Sequence, residues 1–179
     1  MILAVDIGNS NIVFGGVEGN DIVFEARIRT DWTKTSDEYC VDLKILLDVY
    51  GISPQDIEGG IIASVVPQVL NSFQTAIKKL TGKQSLVVGP GLKTGLNIKI
   101  DNPAQLGSDL VVSAVAGIKE YGVPQINIYM GTATAFSLID SDKNFVGTSI
   151  GAGMGIEAEA LSSKTSQLPN IAFEIPKHV

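Results

Sequence analysis

"LAVDIGNSNIVFGG", from Leu3 to Gly16, decides the fold. An unbroken apolar run, the mark of a strand covered on both faces, meets Asp6, breaks at "GNSN" (Gly8–Asn11) and resumes as a second strand from Ile12 to Val17. A fainter copy, "INIYMGTATAFSLI", begins at Ile126. Laid side by side without gaps, the two match Leu3 to Ile126, Val5 to Ile128, Gly8 to Gly131 and Asn9 to Thr132. An internal duplication is therefore expected, with one unit over residues 1–122 and a second starting at 123. The second unit reaches Val179 after about half the length of the first, so it is expected to be incomplete, with further chain beyond that residue.

Between the copies, strands and helices alternate, which predicts an α/β sheet. Strands are expected at Ile2–Ile7, Ile12–Val17 and Ile22–Ile28, then in "GGIIASVV" and "SLVVG". Thr35 and Glu38 form a capping-box pair ahead of a helix with a stripe at Val41, Ile45 and Leu46, ended by Gly51. Further helices are expected from Pro67 to Gly82 and over "LGSDLVVSAVAGIKEYG", the latter with Asp109 in its first turns and Gly122 past its end.

The 179 residues carry 45% hydrophobic and 18% charged side chains, as globular chains do, and a net charge of -6 with no basic cluster excludes nucleic acid as the main partner. No run of apolar residues is long enough for a membrane span, and the run at Ile2–Val5 meets Asp6 too early for a signal peptide, so a cytoplasmic location is expected. With one cysteine and one histidine, neither a disulfide nor a Cys/His metal site can be built. Cys40 is expected as a small buried side chain, and Trp32 and His178 receive no role beyond packing and surface.

Two Gly-containing turns facing each other suit a polyphosphate, because glycine lets the backbone approach and Asn, Ser and Thr donate to phosphate oxygens. Asp6, at the end of a buried strand beside them, is placed to hold magnesium or its water shell. The plainer alternative for "GNSN" is a hairpin turn alone, and for Asp109 an acid complementing a helix dipole.

The motifs "DIGNSNIVFG", "SVVP" (Ser64–Pro67), "VVGPGLKTGLNIKIDNP", "GTATAF", "GTSIGAGMGIEAEAL" and "LPNIAFEIPK" resemble, in order, those of the type III pantothenate kinases, members of the actin, Hsp70 and sugar kinase superfamily. The resemblance implies two ribonuclease H-like domains, the second partial, and transfer of the ATP γ-phosphoryl group to pantothenate, the first step towards coenzyme A. It implies ATP with Mg2+, a monovalent cation (K+ or NH4+) and a homodimer. By position, Asp6, Gly8, Asn9, Ser10 and Asn11 would face the phosphates and metal, with Gly131, Thr132 and Thr134 opposite. Asp109 would be the catalytic base, and Asn102, Gly107 and Ser108 would shape the pantothenate pocket. Three positions depart from the family pattern: Tyr129 stands for Asp, Leu110 for Arg and Ala152 for Pro. These departures keep open a second reading, a non-catalytic relative that binds nucleotide, a metabolite or a protein partner.

Overall fold

A computed structural model of the chain describes residues 1–175; His178 lies outside them. The chain begins with β1 (Ile2–Ile7), β2 (Asn11–Glu18) and β3 (Asp21–Arg29), a meander of antiparallel strands. Then follow α1 (Ser36–Val49), β4 (Gly59–Ser64), α2 (Pro67–Thr81) and β5 (Ser85–Val87). Together these strands form a five-stranded sheet in the order β3-β2-β1-β4-β5, with β1 parallel to β4 and β4 parallel to β5. The unbroken apolar run is thus paired on both edges, as its composition demands.

α1 starts at Thr35, whose hydroxyl accepts from Glu38 N while the Glu38 carboxylate accepts from Thr35 N, the reciprocal cap expected. Its buried face is not the expected one. Tyr39, Leu43 and Leu47 enter the core, Leu46 packs at its margin, and Val41 and Ile45 face outward. Both stripes repeat at helical spacing, and the choice is made by Tyr39. Its hydroxyl donates to Asp31 O at 2.7 Å, and its ring packs against Phe73 of α2 with centroids 5.2 Å apart. Cys40 is only half-buried, beside this core. Gly82 closes α2 with a left-handed φ of 72°, the conformation glycine adopts without strain.

The long connection after β5 contains β6 (Asn97–Ile98), and α3 (Ser108–Tyr121) follows. Then come β7 (Gln125–Met130), β8 (Ala133–Ile139), β9 (Asn144–Ala152) and α4 (Met154–Lys164). The second sheet runs β6-β9-β8-β7 and repeats the opening meander. Its register also shows where the copies diverge. Ile7 pairs with Ile12 across a four-residue turn, whereas Met130 pairs with Thr134 across only Gly131–Ala133, so the ungapped alignment holds as far as the turn and then slips by one residue.

β6 and α4 were not expected. β6 has only two residues and exists by pairing with β9, and α4 has no buried face to give it a periodic stripe. α3 joins the sheets: Val111 packs with Ala63 of the first and with Val88 just past β5, while Leu110 and Ala114 pack with Ala135, Ile139 and Phe145 of the second.

Candidate active site

β1 carries Asp6 to its carboxyl end, beside the turn that turns back into β2. Open α/β sheets bind ligands at such strand ends. The turn is held from several sides. Gly8 N donates to Asn11 O, Thr30 Oγ1 donates to Gly8 O at 2.6 Å, and Thr30 N donates to Ser10 O. The second turn is tied to the start of α4, where Gly153 N donates to Thr132 O at 3.1 Å. A side chain at Gly153 would collide with the carbonyl oxygens of Gly131 and Thr132, so glycine is what lets the helix start lie against this turn.

The two turns meet: the hydroxyls of Ser10 and Thr132 lie 2.8 Å apart, joined by a hydrogen bond that either can donate. Between them and the start of α3 lies a cleft of about 720 Å3. Asp6, Gly8, Asn9, Ser10, Asn11, Gly107, Asp109, Gly131 and Thr132 all line it. Thr134, Asn102 and Ser108 do not. Thr134 is a ladder residue opposite Met130, and Asn102 is exposed at the head of a 3-10 turn.

Ser108 is occupied elsewhere. Its hydroxyl accepts from Ser64 N at 2.8 Å and donates to Ser64 O at 3.0 Å, which pins the first turn of α3 to the end of β4. Asp109 is thereby fixed over the cleft, with one carboxylate oxygen accepting from Leu110 N. Gly107 leaves room for that carboxylate: a Cβ there would collide with Asp109 Oδ1 and press on Val65.

Asp6 is partly withdrawn from water. Burial pushes its carboxyl above the usual range, and the nearby negative charge of Asp109 adds to the shift. Its Oδ1 is buried with no hydrogen-bond partner. A buried, unsatisfied carboxylate oxygen beside a polar cleft fits a magnesium ion or its water shell. Among the described residues no group of three His, Cys, Asp or Glu could by itself hold a metal.

Tyr129 also lines the cleft, its ring close against Gly131. Burial and the charges of Asp6 and Asp109 push its phenol further up, so it stays neutral. At this position a neutral phenol stands instead of the carboxylate that the resemblance implies beside a monovalent cation. Leu110 is a core residue between α3 and the second sheet. Arg27 was missed in the sequence. It lines the cleft because Asp6, Val13 and Arg27 are directly paired across β1, β2 and β3 and so share one face of the sheet.

Solved structures share this architecture. A protein assigned as a 2-dehydro-3-deoxygalactonokinase from Sinorhizobium meliloti matches with a TM-score of 0.57 at 14% identity, over 92% of this chain and 57% of that one. The Aquifex aeolicus Ppx/GppA phosphatase matches with 0.52 at 13% identity, over 93% and 55%. The fold is therefore that of the actin, Hsp70 and sugar kinase class, with a partial second domain.

Within that class the sequence is more specific. A family model described as type III pantothenate kinase matches residues 2–179. Type III pantothenate kinases of Halalkalibacterium halodurans and Bifidobacterium animalis subsp. lactis are 43% and 42% identical over the full 179 residues, and the chain spans 70% and 71% of their lengths. The chain belongs to the type III pantothenate kinase family.

Proposed function

We infer that the chain transfers the γ-phosphoryl group of ATP to the primary hydroxyl of pantothenate, giving 4'-phosphopantothenate at the start of coenzyme A synthesis. One observation carries this reading: a single cleft gathers both Gly-containing turns, Asp6, whose buried Oδ1 has no hydrogen-bond partner, and Asp109. In it Asn9, Ser10 and Asn11 hold the phosphates from one side, and Gly131 and Thr132 hold them from the other. Asp109, set by Ser108 and given room by Gly107, accepts the proton of the attacking hydroxyl. Proton acceptance assists late in a loose transition state, where positioning and charge neutralisation supply most of the acceleration. Magnesium, when bound, neutralises phosphate charge, and Asp6 is the residue to hold it. Residues 1–122 and 123–179 act as the two lobes, joined through α3, and a homodimer is the assembly in which we expect the chain to work.

The reading is tested by following phosphopantothenate by mass spectrometry after incubation with ATP, magnesium and pantothenate. Asp109→Asn should lower turnover by at least about 100-fold, the low end of what a positioned base contributes, without altering the thermal melt. Unchanged turnover removes Asp109 from the base role. Leu110 favours a second reading, binding without turnover, because no guanidinium follows the catalytic Asp to meet the substrate. Nucleotide binding by a folded sample that forms no product would select it.

A further inference from the structure

The cleft is short of positive charge. Asp6 and Asp109 both line it, the chain carries a net charge of -6, and the ligand it is read to hold is a polyphosphate. Arg27 is the one basic side chain on its lining among the described residues. It sits in the same cross-strand row as Asp6, one strand beyond Val13. No carboxylate of the described residues lies within ion-pair distance of its guanidinium. A free guanidinium offers a planar fork of donors that matches phosphate oxygens. On the facing lobe, Tyr129 lines the cleft where a carboxylate would otherwise have to be neutralised by a small cation, and its phenol adds no negative charge.

We propose that Arg27 binds the nucleotide phosphates as a built-in cation, and that with Tyr129 opposite it the cleft takes up nucleotide without potassium or ammonium. The proposal rests on the reading of the cleft as the nucleotide site. It sets this chain apart from the cation requirement that its family resemblance implies. The guanidinium reaches over the open face of the sheet and neutralises the phosphate charge that two lining carboxylates would otherwise repel. Returning a carboxylate at position 129 would place a third negative charge beside Asp6 and Asp109 and create the need for a small cation.

The test is calorimetric titration with magnesium ADP, in potassium chloride and in choline chloride at equal ionic strength. The expected wild-type affinity is the same within about twofold in both salts. Arg27→Gln should weaken binding by about 10- to 100-fold in both, as expected for losing a hydrogen bond to a charged group, and Arg27→Lys should recover part of the loss. Tyr129→Asp should bind well only in potassium chloride. Thermal melts establish that each variant is folded, and if Arg27→Gln is not, Arg27→Lys and Tyr129→Asp decide. Wild-type binding that needs potassium, or Arg27→Gln with unchanged affinity, overturns the proposal and leaves the nucleotide reading standing. Absence of wild-type binding in both salts overturns both.

Discussion

Asp6 works against the stability of the fold that holds it. Its carboxyl is raised above the usual 3.8, chiefly by burial, so the folded chain keeps the proton more firmly than the unfolded chain does. Stability is therefore lost as pH climbs from the ordinary carboxylate range through the raised value, the reverse of an ion-paired aspartate. Asp6→Asn should melt at a higher temperature than wild type at neutral pH, and the gap should close below about pH 4, where both are neutral. Scanning calorimetry of nucleotide-free protein across pH checks this. The same substitution should abolish magnesium-dependent nucleotide binding, which marks Asp6 as a site residue that the core tolerates at a cost. Asp6 was legible in the sequence because a carboxylate ending an apolar strand breaks a local rule. Arg27 was not. Its place on the cleft appears only once two strand registers bring it into line with Asp6, and nothing adjacent to it in the chain reports that.

Whole elements were legible wherever a local signal and a packing need agreed. β1 begins and ends as its apolar run predicts, and α1 and α2 begin and end at the caps written into the sequence. The orientation of α1 was the exception, because Val41 and Ile45 form as good an apolar stripe as Leu43 and Leu47. The Tyr39 contacts with the Asp31 backbone and the Phe73 ring, features of the folded chain, separate them. Leu43→Ala should thus cost about 2–5 kcal/mol in urea unfolding, whereas Ile45→Ala should stay within about 0.5 kcal/mol of wild type. Equal losses would contradict this orientation. β6 lacked any local signal, since its strand character comes from β9.

Across the molecule, the duplication makes the halves each other's control. Leu3, Val5 and Ile7 are buried under α1 and α2, while their counterparts Ile126, Ile128 and Met130 are 64%, 59% and 65% exposed. Phe136 and Leu138 are also exposed beside them on β8. An apolar surface of this kind takes up hydrophobic dyes. The chain should enhance anilinonaphthalene sulfonate fluorescence, and Ile128→Thr with Phe136→Thr should remove most of the signal while leaving magnesium ADP affinity unchanged. A persistent signal would place the dye elsewhere. No helix among the described residues is long and apolar enough to cross a membrane.

The hydroxyl pair of Ser10 and Thr132, 122 positions apart in the chain, has one more consequence. On the proposed reading, each turn serves as the other's stand-in for a phosphate oxygen. A nucleotide bound in that way would swap partners with groups already satisfied, and the tally of hydrogen bonds at those two hydroxyls would change little. Discrimination in favour of a triphosphate must then come from charge and from the span between the lobes, and a ligand too short to bridge them would merely break a latch.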